Sequence, residues 1–386
     1  VRAAARRRAD SPGPGPGPAE SIVRPAENAT GPAGAAGPAA SAGPAEGAAP
    51  APKAGAPRSP VWCAVTLCVL FGAAVLVDNF RAAVLVFTAE AVLAAVIAGL
   101  CGGFGWWALR RLRPVRPPLR GRSLVCLAWG STAATGCAIM ANGGLSALWA
   151  GAAGIEFTNR WGPMLTAPVN EELLKLCGLV LLSLAVPGLF RGPVDGFVLG
   201  ALCGLGFQVT ENWIYAMNTV VGSAATDGPG AVVQSTVSRV VVTGIGTHWA
   251  MTAVAGAGAA YWITRPGSRL RLPAAVGLPL LAVAMHALFD SPLLPGPWGP
   301  TTKALANFSL AGALWLALRG RVRSRMRGVA RLPREETHPG ESDAGLALLR
   351  RRDVRAELRR LPPGPDRTAR VRRWRQQLDA LEAHVL

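Results

Sequence analysis

The sequence predicts an all-α protein, a polytopic membrane bundle of about eight transmembrane helices. Three observations predict it. Hydrophobic residues make up 51% of the 386 positions and charged residues only 16%, with a positive mean hydropathy of +0.31, a balance that suits lipid better than water. Apolar runs near the ~20 residues needed to cross a bilayer recur along the chain. Arginines, the source of most of the +18 net charge, lie between those runs and in the tails, where topology determinants belong.

The same arginine placement argues against nucleic acid as a partner. There are only two tyrosines, and no basic-aromatic interleaving of the kind that binds single strands. The seven cysteines (63, 68, 101, 126, 137, 177 and 203) all fall in apolar runs and form no CxxC pair. They read as small hydrophobes, with neither disulfides nor a cysteine metal site expected.

Residues 1–59 are dominated by Ala, Pro and Gly, with arginines at 2, 6, 7 and 8. Too little apolar surface is present to offset ordering entropy, so this segment is expected to be a disordered tail. No apolar run follows the early arginines closely enough for a signal peptide. The membrane domain is expected over 60–320, with spans at about 61–76, 82–107, 124–141, 164–186, 194–220, 237–263, 273–294 and 304–318. Asp78-Asn79-Phe80-Arg81 reads as a turn, residues 142–163 as a loop with an interfacial helical part, and 222–235 as a polar loop. From 321 to 386 a basic tail follows, in part helical. Its Val371, Trp374, Leu378, Leu381 and Val385 make a heptad-like stripe suited to a partner helix or the membrane surface.

Orientation follows from the short loops. The arginine clusters at 110–122, the 191 region, 265–271 and beyond 319 belong on the cytoplasmic side of the cell membrane, which leaves both termini inside.

The candidate site comes from polar residues where lipid should exclude them. Asn170-Glu171-Glu172-Leu173-Leu174-Lys175 sits inside an apolar run, and a charged side chain at a helix centre costs roughly 2.5–3.5 kcal/mol on insertion scales. Lys175 is four residues from Glu171 and three from Glu172, so it can reach either. Phe207, Glu211 and Tyr215 share a helix face with Gly200 and Gly204, and Gly196, Gly200 and Gly204 form a small-xxx-small series that invites close helix packing. His248 is flanked on its face by Gly244, Thr252 and Gly256. His286 and Asp290 are four apart, so the aspartate can orient the imidazole. Glu171, Glu211, His248 and His286 all fall roughly 12–17 Å from the outer surface at 1.5 Å per residue. Four helices thus bring polar groups to one layer.

Carboxylates and imidazoles in a dry cavity can activate water. A glutamate acts as base directly, or Glu and His bind a divalent ion, zinc being the natural choice, that lowers the water pKa. No HExxH and no Gly-x-Ser-x-Gly is present. Intramembrane Glu, His and Lys also mark proton- or cation-coupled transporters. No repeat relates the two halves of the chain, which such a transporter would favour.

These residues carry a resemblance. Glu171-Glu172-x-x-Lys175, Phe207-x-x-x-Glu211-Asn212, His248 and His286-x-x-x-Asp290, in order on four spans between 166 and 290, resemble the PrsW family of intramembrane proteases. That family is related to the CAAX-processing and bacteriocin-processing membrane proteases. The resemblance implies hydrolysis of peptide bonds in membrane-anchored substrates, in that family often anti-sigma factors, with the bilayer as the other partner. It implies that Glu171 and Glu172 activate water, with Lys175 as their counter-charge. Glu211, His248 and His286 then bind metal or stabilise the oxyanion, supported by Asn212 and Asp290.

Overall fold

A computed structural model describes residues 59–114, 117–223 and 226–330, together with 364, 365 and 369. All of them lie in the larger of two units, Ala54–Leu386. The expected tail at 1–58 and the stripe from Val371 to Val385 lie outside the described residues. The described chain is helical, without strands. Its helices are α1 (Ser59–Val86), α2 (Thr88–Leu109), α3 (Arg120–Trp129), α4 (Thr135–Ala153), α5 (Ile155–Ala185), α6 (Pro193–Gly222), α7 (Gly228–Thr236), α8 (His248–Thr264), α9 (Arg271–Asp290) and α10 (Gly299–Ala330). A π-helical turn, Gly130–Ala134, joins α3 to α4 into one rod.

Five helices are long and apolar enough to cross a membrane, or six if the bent α7–α8 pair counts as one span. The expected eight spans are therefore matched only in part by composition. Of the rest, α5 is 31 residues long but carries Glu171, Glu172 and Lys175, and the 32-residue α10 ends in arginines.

Four expectations need correction. The turn at Asp78–Arg81 is absent, because α1 runs through it. Arg81 pairs with Asp78 at 3.8 Å, and Asn79 donates to the Val75 carbonyl at 2.8 Å, so the polar side chains are satisfied along the helix. The loop at 142–163 is also helical but for Gly154, whose φ of +88° suits a residue without Cβ. Pro163 and Pro168 sit inside α5 without ending it, as happens in membrane helices whose neighbours supply hydrogen bonds. The polar loop at 222–235 becomes α7 from Gly228 onward.

The fourth correction matters most for the site. The expected continuous span 237–263 is broken. Val237–Val242 is π-helical, Gly244–Gly246 is a 3-10 turn, and the two halves bend by 46°. The carbonyl of Gly244, freed at the break, accepts from Gln208 Nε2 at 3.2 Å and Trp249 Nε1 at 3.0 Å. Those two bonds provide what the helix gave up.

At the centre of the bundle stands α6, with 89% of its apolar stretch buried against 11% for α1. The glycine series explains its position. A Cβ at Gly200 would strike the Thr252 carbonyl, and one at Gly204 the His248 carbonyl, so α6 and α8 pack backbone to backbone. At the start of α6, the buried Arg113 pairs with Asp195, which also accepts from the Arg191 amide at 3.0 Å.

Candidate active site

On α5, Glu171, Glu172 and Lys175 face inward and are all buried. The Lys175 ammonium donates to Glu172 Oε1 at 2.9 Å and Glu171 Oε2 at 3.3 Å, and lies 3.7 Å from the centre of the Phe207 ring on α6. Charges so deep are tolerated only when paired; removing one partner of such a pair costs about 3–5 kcal/mol.

The two glutamates differ in surroundings. Glu172 Oε1 also meets His286 Nδ1 at 3.2 Å, and its Oε2 accepts from Thr252 Oγ1 at 3.0 Å. It is enclosed on every side. Glu171 Oε1 accepts from Asn142 Nδ2 at 3.0 Å, and Asn142 in turn accepts from Asn170 Nδ2 at 3.1 Å. Glu171, unlike Glu172, lines a cavity of about 610 Å³.

The break before α8 makes His248 the first residue of its helix and lets the ring bridge two walls. Its Nε2 lies 2.7 Å from Glu211 Oε2 on α6, and its Nδ1 lies 3.1 Å from Lys175 Nζ and 3.8 Å from Glu171 Oε2. His286 on α9 completes the cluster, its ring centre 5.0 Å from that of His248. Its Nε2 sits 3.8 Å from Glu171 Oε2 and 3.3 Å from Asp290 Oδ2. Asp290 ends α9 and lines the cavity. Glu171, Glu211, His248 and His286, named from four separate stretches, therefore meet.

Two groups were missed by sequence reasoning. Arg239, in the π-helical segment, donates to Glu211 Oε2 and, at 2.9 Å, to Asn212 Oδ1, while its guanidinium lies 3.8 Å from the Tyr215 ring centre. A lone arginine in the run Val237–Val242 met the same test that singled out Glu171. Asn142 stood at the start of an expected loop, where a polar side chain gives no such signal.

The metal set also shifts. Among the described residues, the donor atoms lying within 4.8 Å of one another belong to Glu171, His248 and His286. Glu211, expected as a ligand, is not among them: its Oε2 is held by Arg239 and by His248 Nε2.

The donor chemistry fits a divalent ion. Glu211 holds Nε2 of His248 and Glu172 holds Nδ1 of His286, so the other nitrogen of each ring lies 3.8 Å from Glu171 Oε2, that of His286 also 3.3 Å from Asp290 Oδ2, and carboxylates behind the rings are typical of metal-binding histidines. Tetrahedral zinc at ~2.0–2.1 Å from each donor needs donor separations of about 3.4 Å. Both nitrogens stand 3.8 Å from Glu171 Oε2, and the three donor atoms all lie within 4.8 Å of one another. Lys175 Nζ also stands beside His248 Nδ1, at 3.1 Å, with Glu172 Oε1 as its nearer partner at 2.9 Å.

No curated protein and no solved structure matched the chain. The sequence pattern of the PrsW family intramembrane metalloprotease matches residues 120–317, a little over half of the chain and all of the cluster described above. With that match laid over a buried Glu–His–His cluster inside a bundle of apolar helices, the chain belongs to the PrsW family of intramembrane metalloproteases.

Proposed function

We propose that the protein is an endopeptidase that cuts membrane-anchored proteins, such as anti-sigma-factor-like regulators, at the polar cavity above Glu171. One observation carries this reading. Both histidines turn one nitrogen toward Glu171 Oε2 at 3.8 Å while a carboxylate holds the other, and the set opens on the cavity.

In this reading Glu171, His248 and His286 hold a divalent ion, zinc by its donor preference. When bound, the ion supplies Lewis acidity that lowers the pKa of water and polarises the scissile carbonyl. Asn142 fixes the rotation of the Glu171 carboxylate by holding Oε1. Glu211 and Glu172 set the tautomers of the two rings, and Lys175 balances the charge of the paired glutamates. The proton leaving water passes to Asp290, whose carboxylate lines the cavity 3.3 Å from His286 Nε2, and returns to the amine of the leaving peptide. Glu171 is the chemical member of the glutamate pair and Glu172 the structural one.

This reading includes eight spans, six of which are long and apolar enough to cross a membrane once the bent pair counts as one. α1, α2, the α3–α4 rod, α5, α6, the bent α7–α8 pair, α9 and α10 supply eight helical rods. The arginine-rich ends at 110–122, 265–271 and beyond 319 face the cytoplasm by the positive-inside rule, which puts the cavity toward the opposite face of the cell membrane. The protease domain takes up 60–320, between the N-terminal tail and the basic C-terminal tail.

The test is cleavage of a tagged single-span substrate by full-length protein in proteoliposomes. Glu171→Gln, His248→Ala and His286→Ala are each expected to lower the rate at least a hundredfold, the scale of losing a positioned acid–base group. A chelator is expected to abolish cleavage and zinc to restore it, with elemental analysis finding one metal in the wild type and none in His248→Ala. Near wild-type cleavage by the three variants would sink the reading.

A further inference from the structure

Two buried polar side chains near the start of α10 take no part in the chemistry above. Lys303 is nearly enclosed, and Asn307, one turn further on, is fully so. Charged and amide groups at such depth are costly unless they are bonded, and both direct their donors at the backbone of α9. The Lys303 ammonium donates to the carbonyls of Phe289 at 3.2 Å and Ser291 at 2.7 Å. Asn307 Nδ2 donates to the carbonyl of Met285 at 3.0 Å.

Those three carbonyls bracket the functional end of α9. Met285 precedes His286, and Phe289 and Ser291 stand on either side of Asp290. The last carbonyls of a helix lack partners within it, and a cation placed there also suits the helix dipole. A compact ammonium with three donors can serve two carbonyls at once. Lys303 is one of three lysines in an arginine-rich chain, and its position gives that choice a reason.

The neighbouring residues of α10 reach the other histidine. A Cβ at Gly246 would overlap the Ala304 carbonyl oxygen, so the 3-10 turn that ends two residues before His248 lies directly on α10. Phe308 meets the ring of Trp249 edge-on, the ring centres 6.2 Å apart. Lys303 and Asn307 thus hold the end of α9, while Ala304 and Phe308, each one position along, hold the entry to α8. The two histidine-bearing segments are joined through the opening turns of a third helix.

We infer that the start of α10 is a brace that fixes the separation of His248 and His286, with Lys303 as its positioning residue. What the brace serves rests on the reading that these two rings, with Glu171, hold a divalent ion. Lys303 acts through the backbone on both sides of Asp290, and so on His286, whose Nε2 lies 3.3 Å from Asp290 Oδ2. Without the ammonium the end of α9 loses two bonds that keep it from fraying, and the two rings lose the fixed spacing an ion requires.

The experiment uses the full chain in nanodiscs and compares wild type, Lys303→Met and Leu318→Ala. Methionine keeps most of the lysine stem and removes its donors. Leu318 is buried fifteen residues further along α10, roughly 22 Å away at 1.5 Å per residue, so truncating it loosens the bundle far from the brace. Competition with a chromogenic chelator reads zinc affinity, and hydrogen exchange of the metal-free protein reads the amides of 285–291. Lys303→Met is expected to bind zinc ~10-fold more weakly, the lower end for groups behind a metal ligand, and to exchange at least ~10-fold faster at 285–291. Leu318→Ala is expected to lower the thermal unfolding temperature at least as much, yet to keep zinc affinity within about twofold and those amides protected. If Lys303→Met does not fold, Asn307→Ala replaces it with the same expectation. Wild-type zinc affinity or unchanged exchange at 285–291 in the brace variant overturns the inference. An equal loss of zinc in Leu318→Ala also overturns it, since that would mean general loosening. If wild type itself binds no zinc, the metal reading falls and exchange alone judges the brace: faster exchange in Lys303→Met but not in Leu318→Ala upholds it, and equal exchange overturns it.

Discussion

His248 stands between two regions built in opposite ways. On one side is the seam of α6 and α8, where glycines bring backbones into contact and nothing can move by itself. On the other is the broken stretch from Val237 to Thr247, whose freed carbonyl is satisfied by side chains and whose Arg239 reaches across the cavity. The seam sets where the imidazole is. The break decides that it begins a helix, with both nitrogens reachable. A site that must hold a ring to a few tenths of an ångström and still admit a peptide needs both kinds of construction.

The contrast can be broken with one kind of substitution. Gly204→Ala places a methyl against the His248 carbonyl, which has no flexible end to yield. It is expected to cost about 3 kcal/mol or more, at the upper end of overpacking effects, read as a large fall in thermal unfolding temperature in detergent and loss of cleavage. Gly244→Ala places its methyl 3.0 Å from the Arg239 carbonyl and 3.4 Å from Gln208 Nε2, within the irregular stretch. About 1 kcal/mol is the expected cost, with the fold kept. Comparable losses at the two glycines would remove the distinction.

The next test runs within α5. Lys175→Met leaves two carboxylates facing each other in a dry core and is expected to cost about 3–5 kcal/mol. Glu172→Gln is expected to cost stability first, since Lys175, Thr252 and His286 all hold that carboxylate away from the cavity, whereas Glu171→Gln, at the cavity wall, should lose cleavage with a smaller change in unfolding. Thermal scans and single-turnover cleavage on the same preparations separate the two, and the reverse pattern would assign the chemistry to Glu172. Smallest is Arg239→Lys. It keeps the charge beside Glu211 but gives up the second bond to Asn212 and the stacking on Tyr215, for an expected drop of about tenfold in kcat/KM and under about 1 kcal/mol in stability.

How much of the site was legible follows from the kind of signal each residue gave. Glu171, Glu172 and Lys175 stood out because ionisable groups in an apolar run are costly, Glu211 and His248 because helical spacing put each on a face with small neighbours, and His286 because Asp290 follows it by one turn. The break before His248 gave no comparable signal, because glycines are common in unbroken membrane helices as well. The roles of Glu171 and Glu172 could not be separated from spacing, since both lie within one turn of Lys175. Their difference comes from Asn142, Thr252 and His286, which arrive from three other helices.

The amino-acid sequence by itself determined the solvent, the helical class and the four stretches that meet, because hydropathy, charge placement and helical period are local properties. Tertiary structure alone decided that Glu171 brings an oxygen near both histidines while Glu211 is held by Arg239 and one of them, and that His248 starts a helix instead of sitting inside one. Those outcomes depend on which carboxylate an arginine on another helix claims, and on side chains elsewhere repairing a broken hydrogen-bond ladder. Neither is written in the residues next to His248.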